Sequence, residues 1–158
     1  MSERRRIAQI TLDERTVIHR SPDIEHERRV AIYDLLERNL FALIGHAGGP
    51  YSVHLSLQED RLVLRVSVDA GTDELERMQV PLAPFRRIIK DYFTVCESYY
   101  QAIKRGGLQQ IEALDMGRRG LHNEGSELLR ERLGPRAEID LETARRLFTL
   151  LCVLHIKA

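Results

Sequence analysis

Tyr51-Ser-Val-His-Leu-Ser-Leu-Gln-Glu-Asp-Arg-Leu-Val-Leu-Arg-Val-Ser-Val68 is the stretch on which the fold turns. Tyr51, Val53, Leu55 and Leu57 alternate with Ser52, His54 and Ser56, and Leu62, Leu64, Val66 and Val68 repeat the alternation after Glu59-Asp60. A period of two belongs to a half-buried strand, so the stretch predicts an antiparallel hairpin closed by a tight turn. A third strand, about Leu75 to Leu82, returns through Asp69-Ala-Gly-Thr-Asp73 and completes a meander. His54 falls on the polar face, where a solvated imidazole is expected in place of a metal ligand.

Upstream, Ala8, Ile10 and Leu12 alternate with Gln9 and Thr11, which predicts an N-terminal strand. A helix follows. Ser21 suits the N-cap, Pro22 the first helical position, and Asp23 and Glu25 the first turn, where negative charge favours the helix dipole. Its buried face reads as Ile24, Ala31, Leu35 and Leu36, with Ile32 beside them and Asn39 at its end. The connector Gly45-His-Ala-Gly-Gly-Pro50 lacks the Gly-Lys-Ser/Thr ending that brings lysine and hydroxyl to phosphate and magnesium, so it reads as a turn.

From Pro84 the period becomes helical. Phe85, Ile88, Ile89, Tyr92, Cys96, Tyr99 and Ile103 form a stripe at three- and four-residue spacing, Phe93 and Tyr100 add a second aromatic line, and Gly106-Gly107 supplies the stop. Such a stripe suits packing on a sheet. With Arg86, Arg87 and Lys90 alongside, the sharper reading is a surface on which nucleotides stack. The last helix, with Asp140 as N-cap, carries Leu147, Phe148, Leu150, Leu151, Val153 and Leu154, leaving Arg145 and Arg146 as its polar face. A helix so apolar is expected to be buried inside the domain or in a homodimer interface.

At 158 residues with 43% apolar content, the chain suffices for one core and is short for two, so a single domain over 1–158 is expected. Its 24 basic residues balance 24 acidic ones, leaving no overall field for a nucleic acid or an anionic membrane; either would need a local patch. Met-Ser-Glu-Arg-Arg-Arg leads into the amphipathic Ile7 to Leu12, and the longest apolar run, Leu150 to Leu154, is too short for a bilayer. The expectation is a cytoplasmic protein without a membrane segment. Cys96 and Cys152 lie in apolar helical patterns without Cys-x-x-Cys or Cys/His ligand spacing. Both read as reduced core residues, and no metal or cofactor is implied.

The segment Asp115-Met-Gly-Arg-Arg-Gly-Leu-His-Asn-Glu-Gly125 concentrates the site-capable side chains. At about 100° per residue, Asp115, Arg118 and His122 fall on nearly the meridian of Ile111 and Leu129, so polar groups sit on an apolar stripe. If 108–133 is one helix, Leu114, Gly117, Leu121, Gly125 and Leu128 share a face, and the glycines admit a close neighbour. If it breaks at Gly120, free amides with Arg118-Arg119 make an anion-binding helix start. Three readings stay open. The patch can be a buried polar network pinning two elements, a ligand or partner site in which Arg118, Arg119, His122, Asn123 and Glu124 grip a small anion, or a catalytic site of His122, Arg118 and Asp115. Ser126 is the one nucleophile type near a base there.

Asp23-Ile-Glu-His-Glu-Arg-Arg-Val-Ala-Ile-Tyr-Asp-Leu-Leu-Glu37, Pro84-Phe-Arg-Arg-Ile-Ile-Lys-Asp-Tyr-Phe93, Cys96-Glu-Ser-Tyr-Tyr100, Asp115 to Ser126 and Thr143-Ala-Arg-Arg-Leu-Phe-Thr-Leu150 together resemble the bacterial uncharacterised protein family (UPF) number two-six-two. The resemblance spans nearly the whole chain and implies no activity, so it transfers no functional residue. Arg118-x-x-x-His122 before a long apolar helix is also similar to the Arg/His motif of the helical HEPN domains, several of them ribonucleases. That likeness implies Arg118 and His122 acting on a scissile phosphate. The spacing is one residue shorter here, and the meander has no counterpart in an all-helical fold.

These readings combine into an α+β fold. A small, mainly antiparallel sheet, made of the N-terminal strand and the meander, packs against four helices with a helical C-terminal half. The function expected is a non-enzymatic binding or assembly module with an Arg/His anion-gripping patch at 115–126, and a protein partner or homodimer through the last helix. The alternative is a ribonuclease or nucleotide hydrolase.

Overall fold

The computed structural model describes residues 4–14, 21–46, 48–68 and 73–155. The meander forms as its alternation requires. Strands β3 (Tyr51–Gln58), β4 (Arg61–Val68) and β5 (Glu74–Pro81) pair antiparallel, in the registers Leu55↔Leu64 and Leu64↔Met78. Glu59, with φ 57, takes the left-handed residue of the two-residue turn. Most of the connection expected between β4 and β5 lies at 69–72, outside the described residues. Strand β1 (Ile7–Leu12) lies parallel to β3, giving the order β1-β3-β4-β5. A parallel neighbour requires a crossover, and α1 (Pro22–Glu37) lies within it.

Helix α1 starts as its sequence demands, with the Ser21 Oγ accepting from the Ile24 N–H at 3.2 Å. Asn39 does more than follow its end. Its amide accepts from the Ile7 N–H at 2.7 Å and donates to the Ile7 and Leu35 carbonyls at 3.0 and 2.8 Å, fastening helix to strand. Beyond it, β2 (Phe41–Leu43) pairs with β6 (Ala137–Ile139) in a second, two-stranded sheet that the sequence reading did not contain. Three residues are too few to display a period. The Gly45 to Pro50 connector is a turn, Ala47 lying outside the described residues. Gly49 donates to the Arg4 carbonyl at 2.7 Å, an approach that leaves no room for a Cβ.

A 3-10 turn (Ala83–Phe85) holds Pro84 and leads into α2 (Arg86–Arg105), which Gly106 ends at φ 81. Helix α3 (Leu108–Leu133) is continuous through Gly117, Gly120 and Gly125, which decides between one helix and two. Helix α4 (Leu141–His155) begins with the Thr143 N–H bonded to the Asp140 carboxylate at 2.8 Å. It packs beside α1 and α3 and over β3, while α2 packs on α3. One cluster joins Val53, Leu55, Leu64 and Met78 of the sheet to Leu35, Ile89, Leu129 and Phe148 of the helices.

Several side chains depart from the periodic reading. Ile103 is 49% exposed and its neighbour Ala102 is buried, because the stripe on α2 has drifted around the helix by its last turn. Val68, read as inward, is 39% exposed at the end of β4. On the face read as polar, Ser56 is buried opposite Val63 and accepts from the Gln58 amide at 3.2 Å, so that face is not uniformly solvated. His54 is not simply solvated either, since its Nδ1 lies 2.6 Å from the Thr11 hydroxyl. Nine residues of α4 are buried within the chain itself. The apolar face that would have called for a homodimer interface is therefore already covered.

Candidate functional site

Phe148 and the bare backbone of Gly125 set the depth at which α3 meets α4. Phe148 is wholly buried, and a Cβ built on Gly125 would come within 2.2 Å of its ring. Gly125 thus has a packing reason to lack a side chain. Gly120 has none, with nothing within 4 Å, and Gly117 meets only Val95 at 3.8 Å. One turn above Gly125, the His122 ring stands edge-on to Phe148 at 5.2 Å and beside Tyr92 at 5.5 Å.

Around this point four helices leave a cleft of about 450 Å³. Helix α3 supplies Arg118, Arg119 and His122; α4 supplies Arg145, Arg146 and Thr149; α1 supplies His26, Glu27, Val30 and Ala31; and Tyr92 of α2 joins them. Four guanidiniums thus face one space in which Glu27 is the lining carboxylate.

His122 holds the two arginine-bearing helices together. Its Nε2 lies 2.7 Å from the Thr149 Oγ1, and that hydroxyl donates to the Arg145 carbonyl at 3.1 Å. Where the Thr149 hydrogen lies on the Arg145 carbonyl, His122 is the donor from Nε2. Ser126, fully buried, spends its hydrogen on the His122 carbonyl at 2.6 Å and sits 3.4 Å from Nδ1. It is not a nucleophile waiting for a base. Burial first, then the charges of Arg145, Arg146 and Arg118, lower the His122 pKa to about 4. The imidazole is neutral at neutral pH.

Arg118 is pinned. Its Nη2 bonds Asp115 at 2.6 Å, its guanidinium carbon lies 4.8 Å from the Tyr99 ring centre, and its Nε is buried without an acceptor. Burial alone would lower its pKa, but the hydrogen bond to Asp115 leads the effects that outweigh it and raise the pKa. Arg119 reaches the other Asp115 oxygen at 3.0 Å. The hydrogen bond from Arg118, aided by Arg119, keeps the Asp115 carboxyl below its usual range. Glu27 moves the other way. Burial raises its pKa, against the lowering effects of the Tyr100 hydroxyl, which donates at 3.3 Å, and of Arg118.

Of the residues singled out in sequence, Arg118, Arg119 and His122 line the cleft together, with Asp115 behind them bridging the arginines. Asn123 and Glu124 do not line it. Glu124 is exposed and pairs with Arg87 of α2 at 3.1 Å, while the Asn123 Oδ1 is buried without a partner; a step of about 100° per residue carries both off the His122 face. Sequence reasoning missed His26, Glu27, Tyr92 and Thr149. It recorded Arg145 and Arg146 only as the polar face of a buried helix. The signal available was the repetition of Arg118-Arg119-x-x-His122 by Arg145-Arg146-x-x-Thr149.

Fold and site together define an α+β protein with an arginine-lined cleft among its four helices. The chain belongs to the Uncharacterised protein family UPF0262, whose profile matches residues 4–157. It is 57% identical to a UPF0262 protein of Rhizobium meliloti (strain 1021) over 150 residues, 95% of this chain and 94% of that one. It is 54% identical to a UPF0262 protein of Paramagnetospirillum magneticum, over 99% of both. No solved structure matches it. Among the described residues no helix is long and apolar enough to cross a membrane.

Proposed function

We propose that the protein is a binding module whose cleft holds a small anionic ligand. One observation carries this reading. In a chain of zero net charge, four arginines and a single carboxylate line one space. Arg118 and Arg119 share Asp115 and Arg146 has long contacts to Asp34 and Glu142, all outside the lining; within it the guanidiniums repel one another, and a bound phosphate or carboxylate relieves that repulsion through charge-assisted hydrogen bonds. The grip falls to the arginines. His122, neutral and bonded to Thr149, holds the walls in register instead of contributing charge.

A protein partner, on this reading, meets the arginine rim, since the apolar face of α4 is covered within the chain. A single domain in the cytoplasm accords with one buried cluster among the described residues and with the two buried thiols, Cys96 and Cys152. Hydrolysis of RNA or a nucleotide by Arg118 and His122 finds less support, because an imidazole held neutral, with Nε2 engaged by Thr149, is a poor proton donor to a leaving group.

Titration of isotope-labelled protein with inorganic phosphate at low ionic strength tests the proposal. Amide shifts should concentrate at 118–122 and 145–149, and those at 145–149 should vanish in Arg145→Gln. Shifts scattered over the surface, or none, refute it.

A further inference from the structure

Arg118-Arg119-Gly-Leu-His122 on α3 and Arg145-Arg146-Leu-Phe-Thr149 on α4 repeat one pattern, and the residues that close the two copies bond to each other. The helices run antiparallel. His122 meets Thr149, Gly125 meets Phe148, and Arg130 reaches the Ile139 carbonyl at 3.0 Å, so one number rises as the other falls. A turn before His122 on α3 and a turn before Thr149 on α4 therefore lie on opposite sides of the bond. With a rise of 1.5 Å per residue, Arg118 and Arg145 stand about 12 Å apart along the axes, with His122 and Thr149 between them.

Among the described residues neither end is fully matched by carboxylates. At one end, Arg118 and Arg119 share the single Asp115 carboxylate, and the buried Arg118 Nε lacks an acceptor. A buried donor left unpaired favours any ligand or solvent oxygen that reaches its group. At the other end, Arg145 has no carboxylate partner among the described residues, and Arg146 has only long contacts, 3.6 Å to Asp34 and 3.9 Å to Glu142. The uncharged His122–Thr149 bond lies between the ends, and His26, Glu27, Val30, Ala31 and Tyr92 complete the lining, with Glu27 its one carboxylate. The cleft volume of about 450 Å³ lies in the range of small-molecule sites and exceeds what one phosphate fills.

Building on the anion-binding reading above, we infer that the ligand is an elongated small molecule with two anionic groups, phosphate or carboxylate, joined by an uncharged linker. One anion sits at Arg118 and Arg119, the other at Arg145 and Arg146, and the linker crosses the His122–Thr149 bond. Two such contacts in one molecule make the second effectively intramolecular, so affinity should depend on linker length and peak where the span fits.

Calorimetric titration with inorganic phosphate, pyrophosphate and α,ω-alkane bisphosphonates of increasing length reads this directly. The expected result is a maximum at an intermediate length, at least about tenfold tighter than phosphate. Both Arg119→Gln and Arg145→Gln should reduce that ligand to the affinity of phosphate. Arg119 is exposed and Arg145 lacks an ion pair among the described residues, so neither change threatens folding, and a circular-dichroism melt checks that it has not. If phosphate binds the wild type but no bisphosphonate binds tighter, the two-headed ligand is refuted while anion binding stands. If neither phosphate nor any bisphosphonate binds the wild type, both readings fall.

Discussion

The two halves of α3 put the same residue types to opposite uses. From Gly125 to Leu133 the helix is pressed dry against α4, with Ser126, Leu129 and Leu133 buried and Phe148 filling the space a Cβ would need. From Asp115 to His122 it stands off, with Met116 75% exposed, Gly120 touching nothing, and two arginines turned to a cleft. His122 sits at the seam and belongs to both. A glycine in a long helix is therefore not one kind of signal. Its meaning depends on the neighbouring element, and only one of the three in this segment admits a close approach.

The largest test of that contrast is the pH dependence at the seam. His122 has its pKa lowered from 6.5 to about 4 in the fold, so the unfolded chain binds the extra proton first. The stability this neutral imidazole contributes is complete above pH 6.5 and is lost as pH falls toward 4, a change of about 3 kcal/mol. Urea unfolding at several pH values should show that slope in the wild type and a flatter one in His122→Gln. An unchanged slope would mean that His122 is not held neutral by its surroundings.

Next in size is Gly125→Ala, which forces a methyl into the Phe148 ring and should cost about 2 kcal/mol, the overpacking penalty exceeding the gain in helix propensity. Thermal denaturation reads it, and a neutral result would show that the lower half of α3 is looser than its contacts indicate. The smallest effect has the reverse sign. Gly120→Ala meets nothing within 4 Å, so it should stabilise by up to about 1 kcal/mol through helix propensity alone, and a loss of stability would place a hidden contact in the upper half.

The sheet was readable because its information is local. Alternation in 51–58 and 61–68 names the inward residues, and only at the strand end, at Val68, and across the far face, at Ser56 and Val63, did neighbours override it. Caps at Ser21 and Asp140 and the stop at Gly106 were equally local. The cleft was half readable. Helical spacing places Asp115, Arg118 and His122 on one side of α3, but it cannot say that Arg145 of α4 and Glu27 of α1 face them. Nor can it take Asn123 and Glu124 out of the patch, because adjacency in sequence looks like adjacency in space until a helix separates them.

Sequence by itself determined the α+β class, the meander, the four helices and the family, since each rests on a period, a cap or a long run of matching residues. Tertiary structure alone decided that α4 is buried within its own chain, that β2 finds β6, that His122 is neutral, and that two arginine pairs more than twenty residues apart face one cleft. Hydrogen-bonding periods act over a few residues, whereas burial, charge repulsion and pKa depend on which surfaces packing brings together.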